Sequence, residues 1–183
     1  VYYYPLENPC LSIPYEPINR GSYFSCTWVS QIMACLGYTS GTCTDQVDSF
    51  NAWFKTQAGA DEAYSVFVAN DYVDPDNRFS NIKYALSSLG GPLMVMTYDN
   101  ADWGINNTDA VFAHESSHIF WALDEYDSSN CSCTYTHNGC PNQNCEKNCL
   151  FHFDCITRAQ LDQAFQNRAL CDCTRGQIGW GCG

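Results

Sequence analysis

Basic side chains are scarce. Eight Lys and Arg stand against 20 Asp and Glu, a formal net charge of −12 over 183 residues. A surface that acidic repels phosphate backbones and anionic headgroups, which argues against nucleic acid and acidic membranes as partners and favours cations, calcium among them. It also gives trypsin-like enzymes few places to cut. No apolar run approaches the ~20 residues of a membrane span, and no segment repeats. The opening stretch, VYYYPLENPC, lacks the basic start, apolar middle and small-residue cleavage site of a secretory leader, so the expectation is a mature or trimmed chain. Histidine is rare too: there are 4, which makes the position of each informative.

Cysteine is abundant, at 13 residues. That density predicts disulfides and an oxidising, extracellular location. A thiolate–zinc cluster in CSCTYTHNGCPNQNCEKNC is the competing reading, but the spacings match no paired zinc motif, and Pro, Asn and Gly fill the gaps as they do in stapled loops. The odd count leaves at least one thiol without a partner inside the chain. Asn106 in NNT and Asn130 in NCS stand in glycan-acceptor patterns. With 45% hydrophobic and 15% aromatic residues the composition is that of one globular domain, residues 1–183.

Within it, residues 1–21 read as a Pro- and Tyr-rich extended arm, 22–126 as an upper subdomain and 127–183 as a cysteine-rich lower one. Phe24, Trp28, Ile32 and Leu36 share one face of a first helix that Gly37 stops. A second helix starts near Thr44, with Val47, Phe50 and Phe54 at helical spacing. AYSVFVAND reads as a buried strand that runs into the acidic loop NDYVDPDN, a candidate calcium site that lacks the spacing of a known calcium loop. After a Gly-Gly-Pro break comes the apolar strand Leu93 to Tyr98. A helix carrying two histidines follows, N-capped by Thr108 or Asp109. Six cysteines then lie between 127 and 155, and a last helix begins at Thr157. The tail CDCTRGQIGWGCG is expected to be tied back by disulfides. The order predicts an α+β fold with a small mixed sheet, an active-site helix, a disulfide-stapled loop region and a C-terminal helix.

HESSHIFWALDEYD, residues 114–127, carries the chemistry. Residues four apart on a helix project to the same side, so the imidazoles of His114 and His118 can reach one zinc ion. Glu115 lies close enough to take a proton from a water on that ion without binding it. A catalytic zinc needs a third protein ligand and an open position. Asp124, Glu125 and Asp127 follow within reach of a chain that turns back near Trp121. His137 and His152 are read as loop residues, either of which could contact substrate.

The same segment resembles the active-site stretch of the immune inhibitor A type of secreted metallopeptidase, H-E-x-x-H-x-x-G-x-x-D-E-Y-D, and more broadly the metzincins and aspartate-liganded relatives such as snapalysin. The resemblance covers residues 92–127. It implies a metzincin-like zincin fold, His114, His118 and Asp124 as zinc ligands, Glu115 as catalytic base, and PLMVMTYDN as an edge strand that binds substrate in extended form. Trp121 stands where the family has glycine, which makes Glu125 the fallback third ligand. Thr157 stands where a metzincin has its methionine turn, and is equally an ordinary helix N-cap.

The resulting expectation is a secreted zinc endopeptidase acting on protein or peptide substrates, with Tyr126 or Tyr135 as candidate oxyanion donors. The alternative is an extracellular structural or binding module on a peptidase-like scaffold, its zinc architectural or lost. Cys10 is a candidate thiolate cap on the metal, an arrangement that a disulfide at Cys10 would exclude.

Overall fold

The computed structural model describes residues 3, 5–14, 16–21, 26–124, 135–141, 170 and 172–181. It is a mixed α/β fold with a small mixed sheet and two described disulfides. The chain divides into two compact units, residues 1–86 with 92–102, and residues 87–91 with 103–183.

In the first unit, Pro9–Leu11 and Pro17–Asn19 form single 3₁₀ turns that bury Leu11 and Ile18. Helix α1, Thr27–Cys35, buries Trp28, Val29 and Met33, with Ile32 and Leu36 half-buried beside them. Helix α2, Cys43–Ala58, starts on a capping box: Thr42 Oγ1 accepts from Asp45 N while Asp45 Oδ2 accepts from Thr42 N. Disulfides Cys10–Cys35 and Cys26–Cys43 tie the amino-terminal turns to α1 and the start of α1 to α2, with Cα separations of 5.5 and 5.6 Å.

Strand β1, Ser65–Ala69, pairs in parallel with β3, Leu93–Thr97, Ser65 opposite Leu93 and Ala69 opposite Thr97. Strand β2, Ala85–Ser87, takes the other side of β3, giving the order β1-β3-β2. The segment expected at an edge is therefore central: β3 is buried at all five positions, and among the described strands β2 holds that edge. A strand covered on both faces reads as an unbroken apolar run, as LMVM does. The unit's core packs Trp28 edge-on to Phe67 and stacks it on Phe79, with Val29, Met33, Val47, Leu93 and Val95 around them.

The second unit carries α3, Thr108–Ile119. Its N-cap is Asn107, one residue before the expected cap, and the Asn107 side chain makes no capping hydrogen bond. Instead Asn107 Nδ2 donates to Trp103 O, and Asp109 Oδ1 accepts from Ala110 N. Strands β4 and β5, Thr136–His137 and Cys140–Pro141, form a two-residue hairpin turning at Asn138 and Gly139, both at positive φ (49° and 79°), the demand an Asn-Gly turn meets. Helix α4, Asp172–Arg175, runs into a π-type turn, Gly176–Trp180. This stretch lies in the tail expected to be tied back by disulfides. The expected helix from Thr157 and the loop containing His152 lie outside the described residues.

Candidate metal centre

Helix α3 places His114 and His118 one turn apart, their rings edge-to-face with centroids 4.8 Å apart and Nε2 atoms 3.2 Å apart. Asp124 Oδ1 lies 3.1 Å from His114 Nε2 and 3.4 Å from His118 Nε2. Among the described residues these three form the one group of metal-ligating side chains whose donor atoms converge, and they can hold a metal ion. All three are partly buried, with side-chain exposures of 12%, 13% and 21%.

The proton count fits a cation. His118 Nδ1 lies 2.7 Å from the carbonyl oxygen of Ala122. A carbonyl only accepts, so Nδ1 carries the proton, and in the neutral ring Nε2 is left as a lone pair facing Asp124. A backbone acceptor on the far nitrogen is the usual way an imidazole ligand is oriented. Burial works against ionisation of Asp124, but when the imidazoles carry protons on Nε2 their hydrogen bonds and charge outweigh it and hold its carboxyl well below the usual carboxylate range.

Asp124 reaches this position because the chain reverses at the end of α3. Trp121 N donates to His118 O and Ala122 N to Ser117 O, the paired bonds of a Schellman motif. Helices α1 and α2 end in the same way, on Gly37 and Gly59 at φ 91° and 61°. The third end sits on Trp121 at φ 73°. The left-handed turn that glycine makes at the ends of α1 and α2 is thus made here with tryptophan. A non-glycine residue there is strained, of order 1–3 kcal/mol, and three contacts hold it. Gly90 lies against the indole so closely that a Cβ built on it would fall 2.3 Å from Trp121 Cζ2. The ring of His137 stacks on the indole at 5.4 Å and 16°. Tyr135 Oη donates to Trp121 O at 2.7 Å.

Comparison with family models, with curated proteins and with solved structures returns no match.

Glu115, buried on α3, is held by Ser87: Ser87 Oγ lies 2.6 Å from Glu115 Oε2 and 2.8 Å from Glu115 O. The hydroxyl has one proton, so it serves these two acceptors in turn. Ser117 is buried and donates to Ala113 O within the helix, which accounts for one of the two serines in the motif.

Other expected site residues fall elsewhere. Tyr135 commits its hydroxyl to Trp121 and is not placed as an oxyanion donor, and burial raises its pKa. His137 is packed between Trp121 and Tyr135. Cys10 is bonded to Cys35, which removes it as a thiolate cap. Glu125, Tyr126 and Asp127 lie outside the described residues. The acidic loop shows no converging carboxylates: Asn70, Asp74 and Asp76 accept from Tyr72 N, Asp76 N and Arg78 N, each two residues on, and Asp71 accepts from Asp99 N. Asn70, Asp74 and Asp76 are engaged as turn acceptors, and no group of converging ligands forms in this loop.

Sequence reasoning missed Ser87, Gly90 and Gln177. Gly90 stood in a Gly-Gly pair that read only as a break, and Ser87 and Gln177 carry no spacing signal at all.

Proposed function

We propose that the protein is a secreted zinc endopeptidase related to the immune inhibitor A type. The observation that carries the reading is the spacing of the three donor atoms. Ligands 2.0–2.1 Å from a tetrahedral ion lie about 3.3 Å from one another, and the three separations here are 3.1, 3.2 and 3.4 Å. Two nitrogens and one oxygen suit zinc and not calcium, which takes oxygen ligands. Among the described residues there are three protein ligands, the count of a catalytic site, whereas a structural one takes four. The two disulfides are compatible with an extracellular protein. Among the described residues no helix is long and apolar enough to cross a membrane.

Zinc held there supplies Lewis acidity toward a carbonyl oxygen and lowers the pKa of water. The chain supplies the rest. Glu115 takes a proton from water and returns it to the leaving amine, and Ser87 fixes the carboxylate in the buried position from which it does so. Loading the protein with zinc and assaying a peptide library against Glu115→Ala tests the reading. Cleavage by the wild type, lost in the variant at equal zinc content, supports it. No cleavage by either at full occupancy sinks it in favour of a binding module.

A further inference from the structure

We infer that Tyr135 and Gln177 are positioning residues for the metal centre, clamping the link between its second and third ligands. The inference rests on the reading of His114, His118 and Asp124 as a metal site.

The link, residues 119–123, must run from a helix end to a carboxylate set against two imidazoles. Most of its polar backbone groups are satisfied locally: Trp121 N and Ala122 N by helix carbonyls, Ala122 O by His118 Nδ1. Two others are held from far along the chain. Trp121 O accepts from Tyr135 Oη, 14 residues on, at 2.7 Å. Leu123 N, one residue before the ligand, donates to Gln177 Oε1, 54 residues on, at 3.3 Å.

Gln177 is fully buried. Because Leu123 N–H needs an acceptor, the amide must present its oxygen there, and Nε2 is left buried with no partner among the described residues. An unpaired buried donor destabilises the fold relative to an apolar side chain of similar size. A glutamine kept at that cost points to the one bond it does make. The two clamps are themselves joined, since Asn138 Nδ2, on the hairpin that carries Tyr135, donates to Gln177 O at 2.9 Å. The hairpin and the carboxy-terminal turn thus form one brace around the turn at Trp121, and the left-handed tryptophan is tolerated inside it. Partners that orient ligands in this way typically change metal affinity by ten- to a hundredfold when removed.

The test measures zinc affinity by chelator competition, and the visible spectrum of the cobalt-substituted protein, for Tyr135→Phe, Gln177→Met and Thr42→Ala. Thr42→Ala lowers stability at a helix cap remote in sequence and serves as the control. The expected result is zinc binding weaker by ten- to a hundredfold in Tyr135→Phe and Gln177→Met, with an altered cobalt spectrum, and wild-type affinity in Thr42→Ala. Wild-type affinity and spectrum in Tyr135→Phe overturn the inference, and so does equal weakening in Thr42→Ala. Tyr135→Phe removes a single partly exposed oxygen and decides the matter if Gln177→Met does not fold. Wild-type protein that binds no divalent ion overturns the metal reading itself, a distinct outcome.

Discussion

The indole of Trp121 fills the space that a side chain on Gly90 would need. Three ring atoms lie 2.3 to 2.8 Å from where that Cβ would be, and Gly90 itself sits at φ 80°. The two residues are therefore energetically coupled. Gly90→Ala should cost about 3 kcal/mol, part from the clash and part from the backbone angle. In a Trp121→Gly background the clash is gone, and the same change should cost only about 1 kcal/mol. Urea unfolding of the four proteins measures the coupling, and equal costs in both backgrounds would refute it.

Ser87→Ala leaves the three ligands untouched and frees the Glu115 carboxylate. If the protein is the zinc peptidase proposed above, with Glu115 as its base, the expected outcome is unchanged zinc content with kcat about tenfold lower and KM little moved, because the lost bond would orient the base and not the substrate. Ser87→Thr keeps the hydroxyl and should recover much of the loss. Loss of zinc from Ser87→Ala would instead mean that the serine supports the metal site as a whole.

Acid should strip the metal. Both imidazoles must be neutral to bind, so affinity falls as acid protonates them. Asp124, held ionised well below the usual range, contributes nothing to that first step. Zinc release followed by a metal-sensitive dye should rise as the pH is lowered from 7 toward about 4. A midpoint below pH 4 would point to carboxylate ligands alone.

Asp71 is buried, and burial raises its pKa against the opposing hydrogen bond from Asp99 N. A raised folded-state value means the stability contribution is complete below the unfolded pKa, about 3.9, and is lost as the pH rises through the folded value. Asp71→Asn keeps an acceptor for Asp99 N and cannot ionise. Its stability relative to wild type should therefore rise from pH 3.5 to pH 7. A relative stability that falls over that range contradicts the assignment.

Much of the site could be read from order along the chain because its chemistry is local. His114, Glu115 and His118 follow helical spacing, and Asp124 follows from the DEYD resemblance. Trp121 looked like an obstacle, since its own preferences oppose the left-handed turn. What permits the turn lies at Gly90, Tyr135 and His137, which one-dimensional spacing does not connect to it. Strand order was hidden for a similar reason: periodicity says that Leu93–Thr97 is a strand but not which neighbours flank it. The unbroken LMVM run was nevertheless a usable sign of a central position.

Among the described residues the ligand set contains no sulfur, in a chain with 13 cysteines. Before oxidation those thiols outnumber the two imidazoles and bind zinc at least as avidly. An ion arriving early would be captured by the wrong atoms and would hold apart cysteines that must join. Maturation consequently has a preferred sequence, oxidation first and metal second, and zinc present during refolding should slow recovery of the native protein.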